Sequence, residues 1–382
     1  MYDQIRGDTL LAIFYGGVTV MAMMASCYLL LRRANAIVPE ITPPICLRRL
    51  TGVFFAFIAL NNVWYMQIIF LESSDDIKMT DLIGGLLESV TLAPLAIAIL
   101  FAMLQDRRRP LWPIAVMTAP AALGMVACVA SRSDALYPMI YAYALPVTIG
   151  LIIYMVREVR RYGHWLHDNY ADLEHKEVWQ SFVVLVIILL LLVIYEFTNE
   201  GPAYVYVMLA VNVVLIGYLL WRVETLSDLS TQSVSGYEVA SLLDLETTSP
   251  ENHTTSKPQN LANHIGMLLQ RHCIDTQLYL QHDLNISQLA KAVGTNRSYL
   301  SQYFSSQGVT YNTYINDLRI NHFTRLCREA VSSGLPFTAQ QLASESGYRS
   351  YGTFRLAFQQ RMGQNVRAWI NDMAKNCQNQ QK

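Results

Sequence analysis

Charge is scarce in this chain: Lys, Arg, Asp and Glu make up 15% of its 382 residues, against about 25% in ordinary soluble domains. Cysteine is sparse too. The six (Cys27, Cys46, Cys128, Cys273, Cys327, Cys377) are scattered without a C-x-x-C pair, so neither a disulfide framework nor a zinc site is supported. There is no H-E-x-x-H, no G-x-S-x-G within an apolar run, and no acidic pair at metal-ligand spacing. Membrane catalysis therefore has little footing, and no enzymatic activity, cofactor or metal is expected. His164, His167 and His175 lie close together, but beside Arg160, Arg161 and Trp165 they read as a juxtamembrane surface.

What the chain has instead is hydrophobicity, 53% of residues, distributed unevenly. Seven apolar stretches, near 9–31, 50–71, 82–104, 111–131, 136–156, 178–198 and 202–222, approach or exceed the ~20 residues that cross a hydrocarbon core. The first is not expected to be a cleaved signal. Its run is too long, it has no basic leader, and Arg32-Arg33 follow it. Charge divides at a related place. From Leu261 onward there are 12 Lys and Arg against 6 Asp and Glu, whereas the rest carries 16 against 23, so the net −1 hides a basic C-terminal module. Such a module suits a polyanionic partner.

Orientation follows from the connections. Arg32, Arg33, Arg48 and Arg49 fall in the first, Arg107, Arg108 and Arg109 in the third, and Arg157, Arg160, Arg161 and Lys176 in the fifth. The N-terminus and the even-numbered connections hold only Arg6, Lys78 and Arg132. This bias predicts an N-terminus outside and a C-terminal module in the cytosol.

Polar groups inside the runs form a candidate sensing pocket: Asn61, Asn62, Gln67, Glu88, Tyr141, Glu196, Asn199 and Asn212. An ionisable group in a span usually faces a protein interior or a wet cavity. The bland alternative is interhelical hydrogen bonding and an interfacial aromatic belt, to which Tyr143, Tyr195, Tyr204 and Tyr206 would belong. Pro94, Pro120 and Pro146 are expected to kink their helices. Residues 223–260 are rich in Ser, Thr, Asn, Asp and Glu, with Lys257 their only basic residue after Arg222. They read as a flexible acidic tether whose start can prolong the seventh helix.

A degenerate repeat follows. Asn285 to Gly294, then a helix with Leu300 and Phe304 inward, is echoed by Thr338 to Gly347, then a helix with Phe354 and Phe358 inward. Asn285 and Thr338 suit N-caps, with Gln288 and Gln341 three residues on. Gly294 and Gly347 suit the positive-φ stop of a first helix, and Asn296 and Ser350 suit caps of a second. Both copies read as helix-turn-helix units.

Leu289-Ala290, Gly294, Leu300, Phe304, Gly308, Tyr314-Ile315, Leu318-Arg319, Leu326, Leu342-Ala343, Gly347-Tyr348, Phe354, Phe358 and Gly363 resemble the pattern of the AraC/XylS family of bacterial transcription regulators over roughly 261–373. The chain departs from that pattern at Ser305 and Gln359, where a basic residue is usual, at Val366 and Ile370, and at Phe323, where a small residue is usual. The resemblance implies two recognition helices in successive major grooves, bridged by a helix near 311–330. Arg297, Ser298, Ser301 and Gln302, with Tyr351, Gly352, Arg355 and Leu356, would face the bases. Gln302 would pair with adenine and Arg355 with guanine, while Arg349, Arg361 and Arg367 would contact phosphates.

The expectation is an all-α protein with three parts: a seven-helix bundle over 1–222, a tether over 223–260 and a double helix-turn-helix domain over 261–382. Its expected place is the bacterial inner membrane. Its expected partners are double-stranded promoter DNA, RNA polymerase, the lipid bilayer, a small-molecule or peptide cue, and a second copy of the chain. Two rivals stand beside it: a transporter with an appended reporter domain, and a passive anchor whose tether is cut between 231 and 258.

Overall fold

The structure is a computed structural model that describes residues 8–32, 35–39, 41–107, 109–198, 202–229, 258–334 and 336–380, with the side chains of 189, 191–204, 258–261 and 374–380 outside that description. Its architecture is all-α, and no strand occurs among the described residues. Two compact units emerge. The first comprises Met1–Tyr162 and Val178–Ser230, and the second Gly163–Glu177 and Thr231–Lys382.

The helices that begin in the first unit are α1 (Thr9–Leu31), α2 (Ile45–Met66), α3 (Ser74–Met103), α4 (Trp112–Ser131), α5 (Tyr137–Asn169), α6 (Trp179–Thr198) and α7 (Pro202–Thr225). Among the described residues, six helices are long and apolar enough to cross a membrane; α6 counts only as a shorter apolar helix because its far half lies outside the described side chains. Several helices outrun the apolar stretches. α2 starts at Ile45, behind Pro44, so Arg48 and Arg49 are helical rather than in a loop. α3 starts behind the Ser73 cap, with Asp75 and Asp76 in its first turn, where carboxylates complement the helix dipole. Hydropathy marks only the lipid-length part of a helix, whereas the backbone continues while its hydrogen bonds are satisfied.

Pro94 has a specific effect. Lacking an N–H, it cannot bond to the carbonyl four residues back, and its ring crowds that carbonyl. The turn ahead of it, Glu88–Leu92, widens to a π-helix in which the Ala93 N–H reaches the Glu88 carbonyl. Close helix packing uses small residues, as it must where side chains cannot separate the backbones. Ser26 Oγ donates to the Gly52 carbonyl at 2.8 Å. The Tyr65 ring lies over Gly84, where an added Cβ would come within 2.5 Å.

At one end of the unit, Arg48 pairs with Glu224 at 3.2 Å, and Tyr28 Oη donates to the same carboxylate at 3.0 Å. Asn35 donates to the Glu224 carbonyl at 2.7 Å, and Gln105 bridges the Ser227 carbonyl and the Leu229 N–H. Glu158 likewise gathers Arg107 and Arg109, each at 2.8 Å. Val223, Glu224 and Leu226 are fully buried. The start of the acidic stretch prolongs α7 to Thr225, as its sequence allowed, and residues 226–229, expected to be flexible, are packed with it into the first unit. The Glu224 carboxylate is paired with Arg48, a partner that local composition does not reveal. Residues 230–257, the bulk of the expected tether, lie outside the described residues.

The second unit contains α8 (Pro258–Leu269), α9 (Ile286–Val293), α10 (Arg297–Ser306), α11 (Tyr311–Ser332), α12 (Ala339–Glu345), α13 (Tyr351–Met362) and α14 (Val366–Gln380). It has two cores. Ile265, Leu269, Leu289, Leu300, Phe304, Tyr311 and Ile315 form one. Ile320, Phe323, Leu342, Phe354, Phe358 and Val366 form the other. α11, 22 residues long and so roughly 33 Å, contributes to both.

Mid-way along it Arg319 is buried, 1% exposed. Its Nε donates to the Tyr279 carbonyl at 2.7 Å and its Nη2 to that of Gln281 at 2.6 Å, while its guanidinium stacks over the Tyr348 ring at 5.5 Å. One side chain therefore joins the turn before the first helix pair to the turn after the third helix of the repeat. The segment 163–177, read from sequence as a connection of the membrane half, belongs to this unit instead. Ala171, 1% exposed, lies in its first core.

Candidate nucleic-acid interface

Each helix-turn-helix unit is built by local capping. Asn285 and Gln288 form a full capping box at the start of α9, with bonds of 2.9 and 3.0 Å in the two directions. Thr338 accepts from the Gln341 N–H at 3.1 Å, but the Gln341 amide turns forward to Glu345 at 3.0 Å, so the second box is half made. Gly294 and Gly347 take φ of +74° and +88°, ending α9 and following α12 in the left-handed region that an L side chain resists. Asn296 and Ser350 then cap α10 and α13 through the Ser298 and Thr353 N–H groups, at 2.9 and 3.2 Å.

These caps fix which faces point out. Leu300 and Phe304 are buried on α10, Phe354 and Phe358 on α13. Arg297, Ser298, Ser301 and Gln302 are exposed on the first, and Tyr351, Gly352, Arg355 and Leu356 on the second, as their spacing requires. Tyr299, 51% exposed on α10, joins that surface. The sequence reading passed it over, although an exposed aromatic in a short polar helix is itself a signal.

Arg297 carries a further bond, from its guanidinium to Asn169 Oδ1. The residues expected at phosphates are exposed as well. Arg349 lies 3.5 Å from Asp283 and Arg361 lies 3.0 Å from Asp317, while Arg367 is on α14. Burial raises the Asp317 carboxyl above its usual value, with Arg361 opposing.

The departures from the family pattern have structural consequences. Ser305 and Gln359 are exposed, so two surface cations of the pattern are absent. Phe323 fills the second core, its ring 4.5 Å from Phe354 and 5.6 Å from Phe358. Val366 is buried and Ile370 packs against the same cluster. The substitutions repack the second unit around an aromatic knot.

Sequence reasoning missed the residues that hold 163–177 in place. Asn312 Nδ2 donates to the Tyr170 and Ala171 carbonyls at 3.1 and 2.7 Å, and Asn316 Nδ2 to that of Ala171 at 3.2 Å. Tyr170 pairs with Asn285 through one antiparallel bridge. Thr353 Oγ1 donates to Glu174 Oε2 at 2.8 Å. Asparagines four apart on a helix were the one available hint, and it names no partner.

The expected sensing residues are only partly gathered. Asn61 donates to Glu88 Oε1 at 2.7 Å, and Asn61 and Asn62 are buried. Tyr15 and Tyr65, neither of them foreseen, lie within electrostatic range of both Glu88 and Asp81. Gln67 is exposed on the turn that closes α2, Tyr141 is exposed on α5, and Asn212 is half-buried on α7. A shallow depression lined by Tyr137, Pro138, Tyr141, Ala142 and Leu145 takes in only Tyr141 of the set. The Glu196 side chain and Asn199 lie outside the described residues.

Residues 289–372 match a family model described as a helix-turn-helix domain, of AraC/XylS type. The match covers 84 of the 382 residues. No curated protein and no solved structure shows significant similarity to the chain.

Proposed function

From the AraC/XylS-type helix-turn-helix domain at residues 289–372, a DNA-binding regulatory module, we propose a membrane-tethered, sequence-specific transcription regulator of promoter DNA. The observation that carries the DNA-reading part is the pair of outward rows on α10 and α13, held on one scaffold by α11 and Arg319. Recognition helices of this type read base edges with their N-terminal residues. The rows begin at the first residue of each helix: Arg297, Ser298, Ser301 and Gln302, then Tyr351, Gly352, Arg355 and Leu356. Gln302 suits adenine and Arg355 suits guanine; Arg349, Arg361 and Arg367 suit phosphates.

The first unit supports the tether. Its helices expose large apolar side chains, among them Leu10, Ile13 and Met24 on α1, Val116 and Leu123 on α4, and Met139, Leu145 and Ile149 on α5. Such faces are costly in water and neutral against lipid. The Asn61–Glu88 pair beside the π turn is the best-supported part of a cue site, since π turns interrupt helices frequently at functional positions. A cue acts there only if it binds two arrangements of the bundle with different affinity. RNA polymerase and a second copy of the chain remain the expected protein partners.

Arg355→Ala tests the reading. In the full-length protein it should weaken binding to a duplex selected from a random pool by about 1–3 kcal/mol, centred on one base pair. A loss spread evenly over all sequences removes Arg355 as a reader. For the cue site, Glu88→Gln should change expression from a reporter promoter while leaving membrane insertion and DNA affinity unaltered. Unchanged expression reduces the Asn61–Glu88 pair to packing.

A further inference from the structure

Both recognition helices begin under contacts from one short acidic segment. Arg297, the first residue of α10, donates to Asn169. Thr353, in the first turn of α13, donates to Glu174 at 2.8 Å. Six residues of chain, Asn169 to Glu174, thus reach from one helix-turn-helix unit to the other. We propose that residues 163–177 are a built-in competitor for DNA, a gate that holds the first turn of each recognition helix, at Arg297 and Thr353, while the rest of the outward rows stays exposed. The proposal rests on the reading of the second unit as a DNA-binding domain and adds its regulation.

Three features support it. The first is place: the N-terminal residues of a recognition helix are those that reach bases, and the Asn169 bond takes one of the Arg297 donors toward the segment. The second is chemistry. Of its acids Asp168, Asp172, Glu174 and Glu177, Glu174 presents a carboxylate oxygen to Thr353, an acceptor of the kind a phosphate offers. The third is construction. The middle of the segment is anchored, by Ala171 in the core and by Asn312 and Asn316 on its carbonyls, which sets its register. The Asn169 and Glu174 contacts flank that anchor at part-buried surface, so duplex DNA can displace them without unfolding the core.

The segment also has the right connectivity for a regulator. Its two ends continue directly into α5 and α6. It is therefore a part of the DNA-binding unit that continues along the chain directly into helices of the first unit. A change in the spacing or rotation of α5 and α6 acts on the gate without any diffusing messenger.

The test uses the full-length protein in lipid nanodiscs and fluorescent duplexes of random sequence about three helical turns long. Asn169→Ala combined with Glu174→Ala should tighten binding about tenfold, because it removes two contacts that DNA must displace. Asn169→Asp, nearly the same shape, should weaken binding by a similar factor, because a carboxylate holds Arg297 harder than an amide does. Asp168→Asn, at an exposed position of the same segment, changes the charge as the double variant does and should tighten binding much less; an equal gain would reduce the effect to charge and overturn the gate. Equal affinities, or weakening in the double alanine variant, overturn the gate and leave the DNA-binding reading standing. Absence of duplex binding in the wild type and in every variant overturns both.

Discussion

His322 shows how much a single acceptor can decide. Its Nδ1 lies 3.1 Å from Tyr279 Oη and 3.2 Å from an Arg325 Nη2. A guanidinium has only donors, so Nδ1 must accept and the ring must be neutral. Burial lowers its pKa below the ordinary 6.5, and the Arg325 charge lowers it further. The folded state therefore refuses a proton that the unfolded chain accepts. Above pH 6.5 neither state is protonated and the contribution is whole. As pH falls below that value it is lost, at up to about 1.4 kcal/mol per pH unit, until the folded state's own lower pKa is reached. His322→Gln, which keeps an acceptor and cannot titrate, should lack this component. Melting of the second unit, followed by hydrogen exchange of α11 in the full-length protein, should show wild type losing ground to the variant from neutral to about pH 5. Parallel curves would mean that Nδ1 is not held as an acceptor.

At the scale of the element, Gly294 and Gly347 separate two effects that sequence alone merges. Both have positive φ, but an added Cβ at Gly294 meets open space, whereas at Gly347 it would come within 2.8 Å of the Leu280 Cα and carbonyl oxygen. Gly294→Ala should cost only the left-handed strain, about 1 kcal/mol. Gly347→Ala adds a collision with main chain that no rotamer relieves, and should cost about 3 kcal/mol or more. Urea unfolding of the second unit, compared between the two variants, checks the ranking; equal losses would mean that the Leu280 turn yields.

The same elements show what is legible. Caps and stops are a local code, so Asn285 with Gln288, Asn296, Ser350 and the two glycines can be read from neighbours along the chain. The base-facing rows follow, because burying Leu300, Phe304, Phe354 and Phe358 fixes the opposite face. Thr338 with Gln341 was half right because Glu345, one turn further on, competes for the amide. α2, α3 and α5 run past the apolar stretches because hydropathy stops where lipid would, whereas a helix does not. The segment around Ala171 could not be read at all: Asn312 lies 141 residues away from it, and nothing in the neighbouring residues announces that partner.

At the scale of the whole molecule, that distant contact constrains topology. Gly163–Glu177 and Thr231–Lys382 fold as one unit, so they lie on the same side of any membrane the chain crosses. Between them run α6 and α7, and the number of crossings between two points on one side is even. Either both helices span or neither does. The far half of α6 thereby gains a requirement that its own composition only suggests: if α7 crosses, α6 crosses. Basic residues point the same way independently. The connection that contains 163–177 holds Arg157, Arg160, Arg161 and Lys176, and orientation follows Lys and Arg rather than net charge, so the pairing of Arg161 with Glu158 does not weaken it. Protease added to sealed spheroplasts should therefore leave 163–177 and 258–380 intact, and protease added to lysed membranes should cut in both regions. Cleavage of one region but not the other from outside would break the parity argument, since one folded unit cannot straddle the bilayer. Cleavage of both from outside would keep the parity and reverse the orientation, placing a DNA-reading domain where there is no DNA to read.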